Sequence, residues 1–182
     1  MPDLTRTSKH LSYVLRHRPE SIGVVLDGAG WVDIDVLLEA LREHGRTVTR
    51  AELDRVVAGT DKRRFEVSGG RIRAAQGHSV DVDLELTPVR PPTVLYHGTV
   101  ARFVAAIRAN GLRPGKRRHV HLSADTATAA TVGARRGEPV ILSIDAAGMH
   151  SDGHEFYLAA NGVWLTDHVP PQWIAMSNGS PA

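Results

Sequence analysis

Three short clusters of basic residues are the first candidates for chemistry, because each lies beside a predicted helix end or turn. They are Arg16-His17, Lys62-Arg63-Arg64 and Arg135-Arg136. Guanidinium groups present a planar fork of donors that fits phosphate oxygens, and histidine can carry a proton near neutral pH. A basic pair most often lies on a solvated surface. Three such clusters beside turns nevertheless favour a ligand rich in phosphate.

A second group of polar residues, His97-Gly98-Thr99, directly follows the predicted strand Val94-Leu95-Tyr96. Glycine allows a close backbone approach to a ligand, although a purely structural turn fits the pattern equally well.

His119 and His121 share one face of a predicted strand, but no third ligand follows at a spacing typical of zinc. Neither GxGxxG nor GxxxxGK[ST] occurs, so any nucleotide would need another architecture than a Rossmann or P-loop site.

Composition limits the class of protein. The chain has 182 residues, 42% of them hydrophobic, which suffices for one domain or two small ones. It contains no cysteine, which excludes disulfides and thiolate chemistry and fits a cytoplasmic protein. We find no signal peptide and no apolar stretch long enough to span a membrane, and no heptad or apolar patch that calls for an oligomer, so we expect a monomer.

Charge alone does not decide whether a nucleic acid is bound. The net charge is only +2, whereas the pI is about 9.3. The two values agree because all but three of the 22 basic residues are arginine, which does not titrate in the usual range. A GC-rich genome also produces many arginines, so their placement has to carry the argument.

The first half predicts helices followed by a hairpin. The elements are a helix over 4–17 ended by Pro19, a turn at 28–30, a short strand at Trp31-Val32, a helix from Ile34 to about His44 capped by Asp33, a helix from Arg50 to about Ala58 capped by Thr49, and strands at 64–67 and 71–74. Helices followed by a two-stranded wing resemble a winged helix, a module that often binds nucleic acid but also serves as a scaffold. Residues 80–92 become acidic and proline-rich, which predicts a junction.

The second half predicts a compact α+β lobe with many short strands. Its elements are the strand at 94–96, a helix over 101–110 stopped by Gly111, a strand over 119–123, a helix from Asp125 to Gly133, and strands at 139–144, 156–158 and 163–165. We therefore predict an α+β protein of two lobes, 1–85 and 93–182.

Eight stretches, in order over roughly residues 11–174, resemble the RNA 2′-phosphotransferase family, often called tRNA 2′-phosphotransferase. Ala75 stands where the family pattern has Asn, away from the chemistry. The matching stretches are 11–17, 30–32, 62–66, 72–79, 95–99, 119–123, 132–137 and 161–166.

The resemblance implies a winged-helix lobe that binds RNA and an ADP-ribosyltransferase-like lobe that binds NAD⁺, in RNA processing such as tRNA splicing. In the family reaction, an internal RNA 2′-phosphate attacks the ribose carbon of NAD⁺ that bears nicotinamide. A ribose hydroxyl of the ADP-ribosylated RNA then attacks phosphorus. The products are 2′-OH RNA, nicotinamide and ADP-ribose 1″,2″-cyclic phosphate.

The resemblance also implies the site residues. Arg16, His17, Arg64 and Arg135 match the catalytic tetrad of the family. Many ADP-ribosyltransferases hold NAD⁺ with a His-Tyr-Glu trio, whose places here fall to His97, His121 and Val163, so the Glu is missing. Gly98, Thr99 and Ser123 complete the NAD⁺ residues, and no metal is expected.

Alternatives remain open within and outside NAD⁺ chemistry. The same residues would serve an enzyme that ADP-ribosylates terminal phosphates of RNA or DNA as a cap. A winged-helix nucleic-acid-binding module with an inert second lobe belongs to another class, and four intact tetrad positions argue against it. The ten histidines also suggest metal-dependent phosphoester hydrolysis.

Overall fold

The computed structural model describes residues 4–59 and 63–176. The chain divides into two compact units, Met1–Glu85 and Leu86–Ala182. Each unit has its own hydrophobic core, and both combine helices with small antiparallel sheets, which confirms the predicted α+β class. Lys62, predicted to belong to a basic cluster, lies outside the described residues. No helix in the described ranges is both long and apolar enough to cross a bilayer.

The helices and the hairpin of the first unit begin and end close to the predicted residues. Asp33 accepts hydrogen bonds from Asp35 and Val36 at the start of the second helix, and Thr49 forms a full capping box with Glu52 at the third. The short strand is shifted by one residue relative to Trp31-Val32. The elements are α1 (Leu4–His17), β1 (Val32–Asp33), α2 (Ile34–Glu43), α3 (Arg50–Ala58), β2 (Phe65–Ser68) and β3 (Arg71–Ala74), with a 3₁₀ turn at Pro19–Ile22.

Packing of the first unit follows the apolar stripe of α1. Leu11, Val14 and Leu15 are fully buried in the core, and the three-stranded sheet has the order β1-β3-β2. Gly69 and Gly70 both have positive φ, 55° and 76°, as a two-residue hairpin turn of this kind requires. The sheet and helices thereby fix the chain on both sides of Arg16-His17 and Arg64.

The second unit contains two three-stranded sheets, β4-β6-β9 and β5-β8-β7. A single antiparallel bridge between Tyr96 and Ser123, with both backbone hydrogen bonds at 2.8 Å, joins β4 to β5. The elements are β4 (Val94–Val100), α4 (Ala101–Asn110), β5 (Val120–Leu122), α5 (Thr126–Gly133), β6 (Pro139–Asp145), α6 (Ala146–Ser151), β7 (Tyr157–Leu158), β8 (Trp164–Thr166) and β9 (Ile174–Met176), with 3₁₀ turns at Ala134–Arg136 and Pro171–Trp173.

Several details of the second unit differ from the sequence prediction. The strands predicted at 156–158 and 163–165 are found at Tyr157–Leu158 and Trp164–Thr166. His97-Gly98-Thr99 lies inside β4, because all three residues pair with β6 rather than turning away. The predicted strand over 119–123 is shorter, since only Val120–Leu122 pairs with β8. Helix α6 and strand β9 were not predicted. α6 is only six residues long, begins at the Asp145 cap immediately after β6, and has no helical apolar period to reveal it.

Candidate functional site

Arg16 and His17 occupy the last turn of α1, where the chain of residues 77–80 passes beside them. The backbone N–H of Ser79 donates to the Arg16 carbonyl at 2.8 Å, which ties this segment to the helix end. The Ser79 hydroxyl lies 2.9 Å from Nδ1 of His17. Gly77 has φ +87°, and its open side faces the Arg16 guanidinium, 3.7 Å from where a Cβ would stand. The helix end and the 77–80 segment therefore hold both side chains from two directions.

Arg64 is brought to the same place from the start of the hairpin. Its Nη1 donates to the Oγ of Ser8 at 3.2 Å, and Nη2 of Arg16 donates to the Arg64 carbonyl at 3.5 Å. Ser8 is almost fully buried in α1, so this hydroxyl is a fixed acceptor. A guanidinium has five N–H donors, and the Ser8 bond uses one of them. The first unit thus brings together Arg16, His17 and Arg64, three of the four predicted catalytic residues.

His78 lies beneath this cluster and was not given a role from the sequence. It is 4% exposed, and burial first, then the charges of Arg16, Arg73 and His17, lower its pKa to about 4. The imidazole is therefore neutral at neutral pH, which adds no charge beside the cations. Its Nε2 stands 3.5 Å from the position of a Cβ on Gly30, whose φ is +82°. The segment that contains His78 therefore packs against the turn at Gly30.

Arg73 stabilises the first unit through contacts with its own residues. Its guanidinium pairs with Glu66 at 2.9 Å, donates to the carbonyls of Ala29 and Leu84, and lies 4.6 Å from the centroid of the Trp31 ring. Because a carboxylate, two carbonyls and an aromatic face already satisfy it, Arg73 is not a candidate for substrate phosphate.

In the second unit, His97 projects from β4 toward β5. Its Nδ1 lies 3.1 Å from the His121 carbonyl, which can only accept, so Nδ1 carries the proton. Burial lowers the pKa of His97, the His121 carbonyl opposes this, and the nearby charge of Arg136 lowers it further. His97 is therefore neutral near pH 7, with Nε2 as a hydrogen-bond acceptor.

Packing against α5 requires glycine at position 98, and the sequence did not reveal this contact. A Cβ there would lie 1.8 Å from the Ala129 carbonyl oxygen and 2.9 Å from the Gly133 nitrogen, both in the backbone of α5. Gly98 therefore allows the backbone of α5 to pack directly against β4, on the side where a Cβ would stand. Thr99, 7% exposed, is also buried at this contact.

His121 is held by an arginine that the sequence did not single out. Nη1 of Arg117 lies 3.1 Å from Nδ1 of His121. A guanidinium can only donate, so Nδ1 accepts and the imidazole proton resides on Nε2. His97 and His121 therefore present opposite functions at Nε2, an acceptor and a donor.

Ser123 and Val163 lie one residue beyond the paired ends of β5 and β8. Leu122 pairs with Trp164 in antiparallel register, so the next position along places Ser123 opposite Val163. Ser123 is at the same time bridged to Tyr96, next to His97 on β4. The predicted NAD⁺ residues consequently lie in or next to three neighbouring strands, β4, β5 and β8.

Arg117, Arg135 and Arg136 concentrate positive charge beside these histidines. Burial and then the charges of Arg136 and Arg135 lower the pKa of Arg117, which identifies the three as close neighbours of like charge. Arg135 and Arg136 are exposed in the 3₁₀ turn after α5. The predicted catalytic Arg135 thus lies within the second unit, in a cationic group suited to phosphate. The sequence analysis identified Arg135-Arg136 but not Arg117, for which the run Lys116-Arg117-Arg118 is the available sequence signal.

The two histidines considered for zinc have different surroundings. His119 precedes β5, lies with its ring tilted against that of Tyr157, and is 3.5 Å from Asp167, whereas His121 contacts Arg117. Within residues 4–59 and 63–176, no group of three or more His, Cys, Asp or Glu is placed to hold a metal ion.

Comparison with known proteins agrees with these motifs. The profile of the RNA 2′-phosphotransferase, Tpt1 / KptA family matches residues 2–168. A protein of Streptomyces coelicolor named "Probable RNA 2′-phosphotransferase" is 60% identical over 169 residues, 93% of either chain. Proteins of the same name from Agrobacterium fabrum and Hahella chejuensis are 57% and 56% identical over 180 residues, 98% of this chain and 97% of theirs. The chain therefore belongs to the RNA 2′-phosphotransferase, Tpt1 / KptA family.

Proposed function

We propose that this protein is an NAD⁺-dependent RNA 2′-phosphotransferase. It removes an internal 2′-phosphate from RNA and transfers it to ADP-ribose, giving 2′-OH RNA, nicotinamide and ADP-ribose 1″,2″-cyclic phosphate. The observation that carries the proposal is the family match over residues 2–168, within which Arg16, His17 and Arg64 converge. The first unit is then a winged-helix RNA-binding lobe and the second an ADP-ribosyltransferase-like lobe.

The first unit supplies groups for the RNA phosphate. Arg64 keeps donors for phosphate oxygens beyond the one used by Ser8, and Arg16 lies against it. We assign proton transfer to His17, whose Nδ1 contacts the Ser79 hydroxyl. The neutral His78 beneath them leaves the local charge entirely cationic, which favours a dianionic phosphate.

The second unit supplies groups that fit NAD⁺, which is consumed as a substrate. The Nε2 atoms of His97 and His121, an acceptor and a donor, suit ribose hydroxyls. The cations Arg117 and Arg136 suit the pyrophosphate. Val163, which directly precedes β8, offers an apolar side chain in place of the carboxylate of other ADP-ribosyltransferases. Gly98, Thr99 and Ser123 position these strands.

The chemistry needs positioning and charge stabilisation more than strong acids or bases. In the first step a phosphate oxygen, already charged, forms a bond to the ribose carbon and displaces neutral nicotinamide, so no base is needed. In the second step a ribose hydroxyl loses its proton and attacks phosphorus, and the RNA 2′-oxygen leaves and gains a proton. Negative charge gathers on phosphorus, where arginines stabilise it. We assign Arg64 and Arg135 to the phosphate oxygens, and Arg16 and His17 mainly to the second step.

The test is an RNA with one internal 2′-phosphate, incubated with and without NAD⁺ in the presence of a chelator, and resolved by mass. We expect NAD⁺-dependent loss of the phosphate with the cyclic product. His17→Ala is expected to accumulate ADP-ribosylated RNA. Arg50→Gln is the control, because Arg50 is exposed and, among the described residues, pairs with Asp54 of its own helix. Loss of the first step in His17→Ala, with no intermediate, contradicts the role of His17.

A strand with a 5′-terminal phosphate distinguishes the alternative activity. A stable ADP-ribosylated end, with the 2′-phosphorylated RNA untouched, identifies a capping enzyme that uses the same residues. Phosphate loss without NAD⁺ that stops with the chelator identifies a metal hydrolase. Nucleic-acid binding without nicotinamide release from any phosphorylated strand identifies the inert binding module.

A further inference from the structure

One face of α1 carries a row of side chains, exposed at Arg6 and Tyr13 and half-buried at His10 and His17, that the proposed chemistry uses only at its end. Arg6, His10, Tyr13 and His17 follow one another at intervals of four, three and four residues. Such intervals place side chains on one face of an α-helix. At 1.5 Å per residue the row is about 16 Å long, and it ends at the proposed catalytic His17.

Tyr13 is an aromatic ring left exposed in the middle of this row. It is 47% exposed, whereas Leu11, Val14 and Leu15 of the same helix are fully buried. Its ring centroid lies 6.3 Å from that of His17, with the planes tilted by 55°. The ring therefore lies next to the proposed catalytic histidine and is accessible to a ligand.

The charges along the helix fit a polyanion. No Asp or Glu occurs from Leu4 to Arg18, and Arg6 and Lys9 are exposed cations one to two turns before Tyr13. Proteins that bind single-stranded nucleic acid combine a basic track for the backbone with aromatic rings on which bases stack. An acidic protein surface would satisfy the charges but would give no reason for a flat ring beside His17, so the strand of a nucleic acid fits better.

We propose that this face of α1 is the path of the RNA strand next to the reacting 2′-phosphate. One base, within one nucleotide of that phosphate, stacks on Tyr13, and the backbone continues past Lys9 and Arg6. Tyr13 is thereby a substrate-positioning residue. The inference rests on the proposed function, because RNA is the substrate there and His17 marks the reacting phosphate.

The first experiment compares Tyr13→Ala and Tyr13→Phe with the wild type. A stacked base is worth about five- to a hundredfold in affinity, so Tyr13→Ala raises the KM for a 2′-phosphorylated oligonucleotide by that factor. The kcat at saturating RNA and the KM for NAD⁺ stay unchanged, and Tyr13→Phe retains the ring and behaves as the wild type. Val36→Ala on α2, where Val36 is 55% exposed, is the control for loss of an exposed apolar side chain.

The second experiment locates the stacked base. Oligonucleotides with an abasic residue at the 2′-phosphorylated position or at either neighbour are bound to the wild type and to Tyr13→Ala without NAD⁺, by fluorescence anisotropy. At one of the three positions, base removal and Tyr13→Ala each weaken binding but together cost no more than one alone.

Additive losses at all three positions, or unchanged RNA affinity in Tyr13→Ala, overturn the proposal and leave the face to an acidic protein partner. Because this binding needs no turnover, a wild type that binds RNA but does not dephosphorylate it defeats the proposed function and leaves the Tyr13 result standing. Thermal unfolding of each variant verifies that the exposed substitution leaves the fold intact.

Discussion

Replacing Gly98 with alanine is expected to disrupt the contact between β4 and α5. The new methyl would lie 1.8 Å from the Ala129 oxygen, 2.7 Å from its carbonyl carbon and 2.9 Å from the Gly133 nitrogen. All three are backbone atoms, so no side-chain rotation relieves the overlap. Carbon and oxygen approach to about 3.3 Å at closest, so the helix has to move by roughly 1.5 Å from the strand.

The cost follows from what that movement disturbs. Ala129 and Gly133 are buried where α5 packs on β4, and the same strand holds His97. Overpacking of a core typically costs about 1–3 kcal/mol, and a rigid backbone obstacle places this variant at or above the upper end. At about 2–4 °C per kcal/mol for a chain of this size, the Tm falls by about 6–12 °C.

Thermal and denaturant unfolding monitored by circular dichroism measure the change. Gly28→Ala is the matched control, because nothing lies within 4 Å of its added Cβ and its φ is outside the left-handed region. It should be neutral or slightly stabilising. A Gly98→Ala protein as stable as the wild type but with a raised KM for NAD⁺ would refute the packing argument, and would show that Gly98 serves approach to the ligand.

Three further results are expected. The pKa of His78 is about 4 in the folded protein, against an ordinary value of 6.5. As the pH falls, His78 is therefore protonated in the unfolded chain before it is protonated in the folded protein. The free energy of unfolding that His78 contributes is present above pH 6.5 and is lost as the pH drops toward 4, by about 2 kcal/mol between pH 7 and 5. Urea unfolding should show this loss in the wild type and not in His78→Gln. Ser79→Ala removes the 2.9 Å contact to His17, so decay of ADP-ribosylated RNA in single-turnover assays should slow about fivefold, with Ser79→Thr near wild type. Arg117→Gln should raise the KM for NAD⁺ about 10- to 100-fold with little change in the KM for RNA, as expected for a lost charge-assisted contact; an equal rise in both would contradict its assignment to NAD⁺.

The local parts of the fold could be predicted because their causes lie within a few residues. Asp33, Thr49 and Asp125 accept backbone hydrogen bonds at the first turns of α2, α3 and α5, as short polar side chains do at helix starts. The hairpin follows from Gly69-Gly70. The boundaries of β1 and β5 could not be fixed in this way, because pairing with β3 and β8 decides which residues belong to them.

The supporting residues of the candidate site could not be predicted, because their contacts join distant segments. Ser79 reaches His17 across 62 residues and Arg64 reaches Ser8 across 56. Arg117 lies only four residues from His121, but their contact depends on a bend of the chain before β5, and the residue pattern does not predict this bend. The resemblance supplied the residues of the tetrad, whereas their positioning partners appear only in the folded chain.

The hydrogen bonds of His97 and His121 give the two imidazoles complementary chemistry. A carbonyl that only accepts places the proton of His97 on Nδ1, and a guanidinium that only donates places that of His121 on Nε2. Two identical side chains on neighbouring strands thus offer one acceptor and one donor, and hydroxyl groups can pair with either because they both donate and accept. In the proposed NAD⁺ site the charge for the phosphates comes from other residues, and we assign it in part to Arg117, which also contacts His121. Replacing Arg117 therefore changes both the charge and the tautomer, whereas replacing Arg136, which only lies near His97 and Arg117, changes the charge alone. A larger loss of NAD⁺ affinity in Arg117→Gln than in Arg136→Gln is the consequence, and equal losses would mean that the tautomer of His121 contributes nothing.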